Sequence, residues 1–193
     1  MSIQRLTCTS ETGKPVSHVC NPCSDKELGR VRGIGLASSD FNRDDFIKAL
    51  KDGEGAEQIL EDAITAGKVH IIPETTGTYN GGEPEYGDGY GDEAQRLRSR
   101  NHELTFSDPS YAENEEFWTE VEKSHWYPFW RTEKLIHFAD KPASVVTTDP
   151  TEADLNSDVT WNGTITWKSK NKAAIAPLEQ VAEFFEGCWT VEE

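Results

Sequence analysis

A chain of 193 residues has the length of one ordinary domain and can bury a sizeable core. Only 35% of it is hydrophobic, yet six Trp, eight Phe and five Tyr exclude a disordered polymer. Against 35 Asp and Glu, the 19 Lys and Arg leave a net charge of −16, which counts against binding nucleic acid through its phosphates and against docking on anionic membrane.

Residues 1–38 show weak periodicity and many turn formers, among them Gly13, Pro15, Pro22, Gly29, Gly33 and Gly35. They read as an irregular N-terminal arm with at most one short strand. Met1–Thr9 has no apolar stretch, so a secretory signal is not expected, and no run reaches the about 20 apolar residues of a membrane span.

Two short helices are predicted next. Asn42 is placed to cap the first, Asp44 and Asp45 suit its positive end, and Gly53 stops it; Phe46, Ile47 and Leu50 share its apolar face. In the second, Ile59, Leu60, Ala63 and Ile64 form a stripe ahead of Gly67. Lys68–Ile72 reads as a strand ended by Pro73.

The segment 76–95 is the most unusual. Gly77, Gly81, Gly82, Gly87, Gly89 and Gly91 alternate with Tyr79, Tyr86 and Tyr90, and acids including Glu83 and Glu85 appear with no base. No repeated apolar face offers to bury it, so it is predicted to be a long loop, either mobile or ordered by a partner.

Arg96, Arg98 and Arg100 lead into a strand at Asn101–Phe106, and Asp108-Pro109 marks a turn. Glu113–Ser124 follows as a helix with Phe117, Trp118 and Val121 on its apolar side. Tyr127–Phe138 is aromatic and strand-like, with Pro128 placing its start at an edge or bend, and Ala143–Thr148 is another strand. The clearest period of two comes at Val159, Trp161, Gly163, Ile165 and Trp167, which is one half-buried strand, or a hairpin if Asn162-Gly163 turns the chain. Leu178–Phe185 reads as a short helix, and Phe185, Trp189 and Val191 suggest a last strand.

The expected fold class is α+β, a mainly antiparallel β-sandwich or barrel with a few short flanking helices. Its organisation is the arm 1–38 and a single β-rich domain 39–193 with the long loop at 76–95.

Candidate chemistry is sparse. Cys20-Asn21-Pro22-Cys23 has the spacing of a zinc half-site, and Cys8 and His18 lie near it in sequence, but no second pair of that spacing follows; no metal site is assigned. Asp40, Asn42 and Asp44 imitate the opening of a calcium loop, but Asp45 stands where its glycine belongs and Lys51 where its bidentate Glu belongs. Gly33-Ile34-Gly35 lacks the third glycine of a dinucleotide fingerprint. The five histidines are scattered, and there is no nucleophile elbow or phosphate loop. Among so many carboxylates an acid-base pair is easy to find and means little. Neither catalysis nor a cofactor is expected.

Certain stretches carry a resemblance. Gly81-Gly82-Glu83-Pro84, Gly87–Gly91, His102–Pro109 and Glu113–Trp118, with Asp154–Ser157 and Val159–Trp167, resemble structural proteins of tailed bacteriophages, of the tail-tube type. The resemblance covers roughly residues 76–168. It implies a β-rich subunit that forms a homo-oligomeric ring or tube around a DNA channel, in contact with other virion proteins and located in the virion after assembly in the host cytoplasm. It implies no sequence-specific nucleic-acid binding and no membrane. The loop residues Tyr79, Glu83, Tyr86 and Tyr90 would make the subunit contact, with glycine for compliance and tyrosine for contact area. The alternatives are a small protein-binding module with a zinc-stabilised arm and a carboxylate-dependent hydrolase with its site under the 76–95 loop.

Overall fold

The computed structural model describes residues 29–73, 75–89, 94–149 and 159–186. Among these, ten strands form two antiparallel sheets, flanked by three α-helices and one 3-10 helix. The architecture is α+β and sandwich-like, as expected; the barrel alternative does not arise.

Sheet I contains β1 (Gly33–Ala37), β2 (Val69–Ile72), β6 (Tyr127–Arg131), β7 (Leu135–Phe138) and β10 (Ala174–Pro177), in the order β10-β7-β6-β1-β2. Sheet II has the order β3-β5-β9-β8, from β3 (Thr76–Tyr79), β5 (Arg96–Asp108), β9 (Trp161–Ser169) and β8 (Ser144–Thr148). Its fifth strand, β4 (Glu83–Gly87), lies on the same side of β5 as β3 does.

Alternation on sheet I builds two cores. Ile34, Leu36, Ile72 and Trp130 face sheet II, where they meet Leu104, Phe106, Ile165 and Trp167. Ala37, Val69, Phe129 and Phe138 point the other way, onto α1 (Arg43–Asp52), α2 (Ala56–Thr65) and the 3-10 helix (Glu179–Phe185). The order of layers is therefore helices, sheet I, sheet II. The second face of sheet II carries no described layer.

The helical expectations hold. Asn42 caps α1 by accepting from the Asp45 amide, and Gly53 ends the helix at φ +81°, where a residue with a Cβ would be strained. Phe46, Leu50, Leu60 and Ala63 are the buried face of α1 and α2. The third helix, α3 (Glu115–Val121), buries Trp118 and Val121 against the inter-sheet core.

Several expectations need correction. The short strand allowed for within residues 1–38 is β1, and it is wholly buried between β2 and β6. Within 76–95, residues 76–79 and 83–87 are strands and not loop, because β3 and β4 both pair their backbones with β5, and an edge strand so held needs no continuous apolar face; residues 90–93 lie outside the described residues. Tyr127–Phe138 is two strands in a hairpin, while Asn162-Gly163 makes no turn and stays inside β9. The strand β10 was not anticipated, and Phe185 belongs to the 3-10 helix. Trp189 and Val191, with Cys8, His18, Cys20 and Cys23, lie outside the described residues.

Candidate functional site: a projecting hairpin and its anchor

β5 is thirteen residues long, about 44 Å at the usual rise, and its partners do not match that length. β9 pairs with it only from Arg100 to Asp108, so among the described strands only β4 pairs with residues 96–99. The result is a two-stranded hairpin that runs beyond the sandwich. Tyr86 stands on it 57% exposed, next to a break in register between Glu85 and Tyr86. Such a bulge increases the local twist of the ribbon.

The outer strand of this ribbon is interrupted. β3 covers β5 from Leu104 to Ser107 and β4 covers it from Arg96 to Asn101, with Asn80-Gly81-Gly82 between them. Asn80 fills the gap with its side chain. Its Oδ1 accepts from the amides of Glu103 at 3.1 Å and Gly82 at 2.9 Å, and its Nδ2 donates to the Asn101 carbonyl at 3.0 Å. Gly81 and Gly82 both adopt positive φ, and a Cβ on Gly82 would sit 2.5 Å from the His102 ring. The glycines of this segment thus serve a tight joint in an edge strand.

Beneath the joint is an aromatic anchor. His102 is 2% exposed and lies parallel to Trp167 with ring centroids 4.8 Å apart. Tyr79 faces inward, 4.6 Å from the Trp130 ring, and its hydroxyl is 2.7 Å from His102 Nδ1. Burial pushes the Tyr79 phenol up to about 12, against the pull of the Arg100 cation and with a further push from Asp140. Burial also lowers His102, opposed by Asp140 and the Asn171 backbone. Asp140 itself accepts from Ser169 Oγ at 2.5 Å and Asn171 Nδ2 at 2.9 Å.

On the opposite face of the hairpin, Glu85 accepts from Ser99 Oγ at 2.7 Å and Lys168 Nζ at 2.8 Å, and these bonds hold its carboxyl below the usual range. The uncovered face of sheet II is polar. Thr78, Thr105, Thr164 and Val146 form one row across four strands, with the Thr78 and Thr105 hydroxyls 2.9 Å apart. An open trough of about 560 Å³ lies along this face, bounded by Arg30.

Of the four residues predicted to make a subunit contact, Glu83 and Tyr86 sit on the projecting hairpin, Tyr79 is turned into the inter-sheet space, and Tyr90 lies outside the described residues. Sequence reasoning passed over Asn80 and the role of His102, while Trp167 was read only as part of a strand's buried face. The alternation of His102, Leu104, Phe106 and Asp108 along one face of a strand was the signal that could have found His102. Among the described residues, no three His, Cys, Asp or Glu side chains gather as a metal site, and no helix is long and apolar enough to cross a membrane. No protein-family model, curated protein or solved structure matches this chain.

Proposed function

We propose that the protein is a non-catalytic structural subunit of a tailed-phage virion, of the tail-tube type, which assembles with copies of itself into a ring or tube. The supporting observation is the hairpin of β4 and residues 96–99. A two-stranded ribbon is marginal by itself in water, and this one extends beyond the sandwich with Tyr86 presented to solvent. Packing against a neighbouring subunit would supply what the ribbon lacks, in the role first expected of a loop.

The edges of sheet II favour contact through this hairpin over edge-to-edge pairing of that sheet. Along β8, the backbone of Ala143 pairs with Trp126, and Glu122 accepts from both the amide and the hydroxyl of Thr147. Gly77 in β3 pairs with Val31. Pro84, with Glu83 and Glu85, protects β4 in the way that natural edge strands commonly are.

The test replaces residues 83–99 with a two-residue turn and follows both chains by mass photometry and negative-stain electron microscopy over rising concentration. The full chain is expected to give rings or tubes of uniform diameter, and the shortened chain a folded monomer. A full chain that stays monomeric throughout, or a shortened one that assembles unchanged, would overturn the reading.

A further inference from the structure

Asparagine followed by glycine occurs twice in the chain, at Asn80-Gly81 and Asn162-Gly163, and the fold sets the two pairs in different states. In such a pair the glycine amide nitrogen can close a five-membered ring on the asparagine Cγ, and the missing glycine Cβ leaves its approach unhindered. Ring closure in the folded chain needs that amide to be free and the backbone around it to bend. At Asn162-Gly163 neither condition is met. The pair lies inside β9, with Gly163 opposite Phe106 of β5 and Thr147 of β8. A central strand commits each amide to one neighbour or the other, and its extended backbone is held from both sides. Gly163 is buried, and Asn162 Oδ1 accepts from Ser107 Oγ at 2.7 Å, which ties the side chain to the neighbouring strand.

Asn80-Gly81 meets both conditions. It lies between β3 and β4, both residues are exposed, and a Cβ on Gly81 would meet nothing within 4 Å. The Gly81 N–H has no acceptor among the described residues. Asn80 Oδ1 accepts from the Gly82 amide at 2.9 Å, a bond that folds the side chain back along the turn, and from the Glu103 amide at 3.1 Å. Two backbone donors on one carbonyl oxygen draw electrons from Cγ. They also hold the negative charge that ring closure places on Oδ1.

We infer that Asn80 is a site of self-modification, converted to a cyclic imide and then to aspartate or isoaspartate, while Asn162 is spared. In the first step the Gly81 nitrogen gives up its proton to solvent, its electron pair forms the N–Cγ bond, and Nδ2 leaves Cγ as ammonia. Water then adds to one of the two imide carbonyls. Opening at Cγ gives aspartate; opening at the Asn80 carbonyl carbon gives isoaspartate, with the backbone routed through Cβ and Cγ. Each event consumes a water, releases an ammonia and leaves one more carboxylate. The product cannot donate to the Asn101 carbonyl, as Nδ2 does at 3.0 Å, and sets a carboxylate oxygen against it. The joint between β3 and β4, and with it the root of the ribbon, loosens as the protein ages. This holds whether or not the chain assembles.

The experiment incubates the full chain in warm, mildly alkaline buffer, both folded and in concentrated urea. Peptide mapping by chromatography and mass spectrometry follows the two asparagines and separates asparagine, aspartate and isoaspartate. In the folded chain Asn80 is expected to convert at least about tenfold faster than Asn162. In urea the two should convert at similar rates, because the fold makes the difference. An Asn80 that stays intact in the folded chain, or an Asn162 that converts as fast there, overturns the inference. A preference for Asn80 that persists in urea would assign the selectivity to the flanking sequence and overturn it too. The variant Asn80→Asp imitates one product. Its urea midpoint is expected to fall below the parent's, and an unchanged midpoint overturns the loosening of the joint.

Discussion

Asn80 stands in for backbone where the partner strand of Glu103 is broken: its Oδ1 accepts from the Glu103 amide at 3.1 Å, while its own amide donates to the Glu103 carbonyl at 3.0 Å. One side chain thereby joins β3 to β4 across the Gly81-Gly82 turn. Asn80→Ala removes three side-chain hydrogen bonds at an exposed position where water replaces part of the loss, so about 1–2 kcal/mol of stability is expected to go. The check is a urea titration. An unchanged midpoint would show that the ribbon does not depend on this joint.

Asp108 is 2% exposed and accepts from the Ser110 amide, Asn114 Nδ2 and Trp118 Nε1. Asp108→Ala leaves the buried Trp118 N–H without its acceptor and releases the start of α3. A cost of about 3 kcal/mol is expected, read from chemical denaturation, with a change in Trp fluorescence. A loss within a few tenths of a kcal/mol would mean that α3 is held by apolar packing alone.

Gly163 lies in mid-strand because the core requires it there. A Cβ at this position would be 2.1 Å from the Phe106 ring, which is 3% exposed. Gly163→Ala should destabilise by about 2–3 kcal/mol through overpacking, and Phe106→Leu in the same chain should recover part of that. Failure of the second substitution to help would place the strain elsewhere.

Two pH dependences follow from the aromatic anchor and from His70, which packs against Phe117 and Trp126. Burial lowers His102 from 6.5, and His70 likewise, so the folded state binds fewer protons than the unfolded one below that value. Stability is therefore full above pH 6.5 and falls as pH drops beneath it; His102→Gln should flatten the slope of the denaturation midpoint against pH. Tyr79 has the opposite sense. Its folded value of about 12 lies above the ordinary 10.0, so its contribution is present below pH 10 and is lost as pH rises toward 12. Tyr79→Phe should remove that alkaline component, and a variant that loses stability at the same rate as the parent would exclude Tyr79 as its source.

Much of the fold was legible because local chemistry dictated it. The cap at Asn42, the stop at Gly53, and the apolar stripes of α1 and α2 are short-range patterns, and the alternation from Trp161 to Trp167 needs only one buried face to be read. The 76–95 segment misled for a physical reason. The backbones of β3 and β4 pair with β5, and such pairing leaves little mark in side-chain periodicity when Tyr79 is the one large side chain that β3 turns inward. The same holds for β10, four residues with one buried side chain, which exists because β7 offers it an edge.

By itself the sequence determined the class of fold, the helices and their buried faces, the acidity, and the unusual character of the glycine- and tyrosine-rich stretch. Only the tertiary structure decided that part of this stretch is half of a projecting ribbon, and that Tyr79 turns inward while Tyr86 is exposed. Caps and stripes are set by neighbours within a turn or two of chain. Pairing and facing are set by residues far apart in sequence, and they take their form only when the two sheets close on each other.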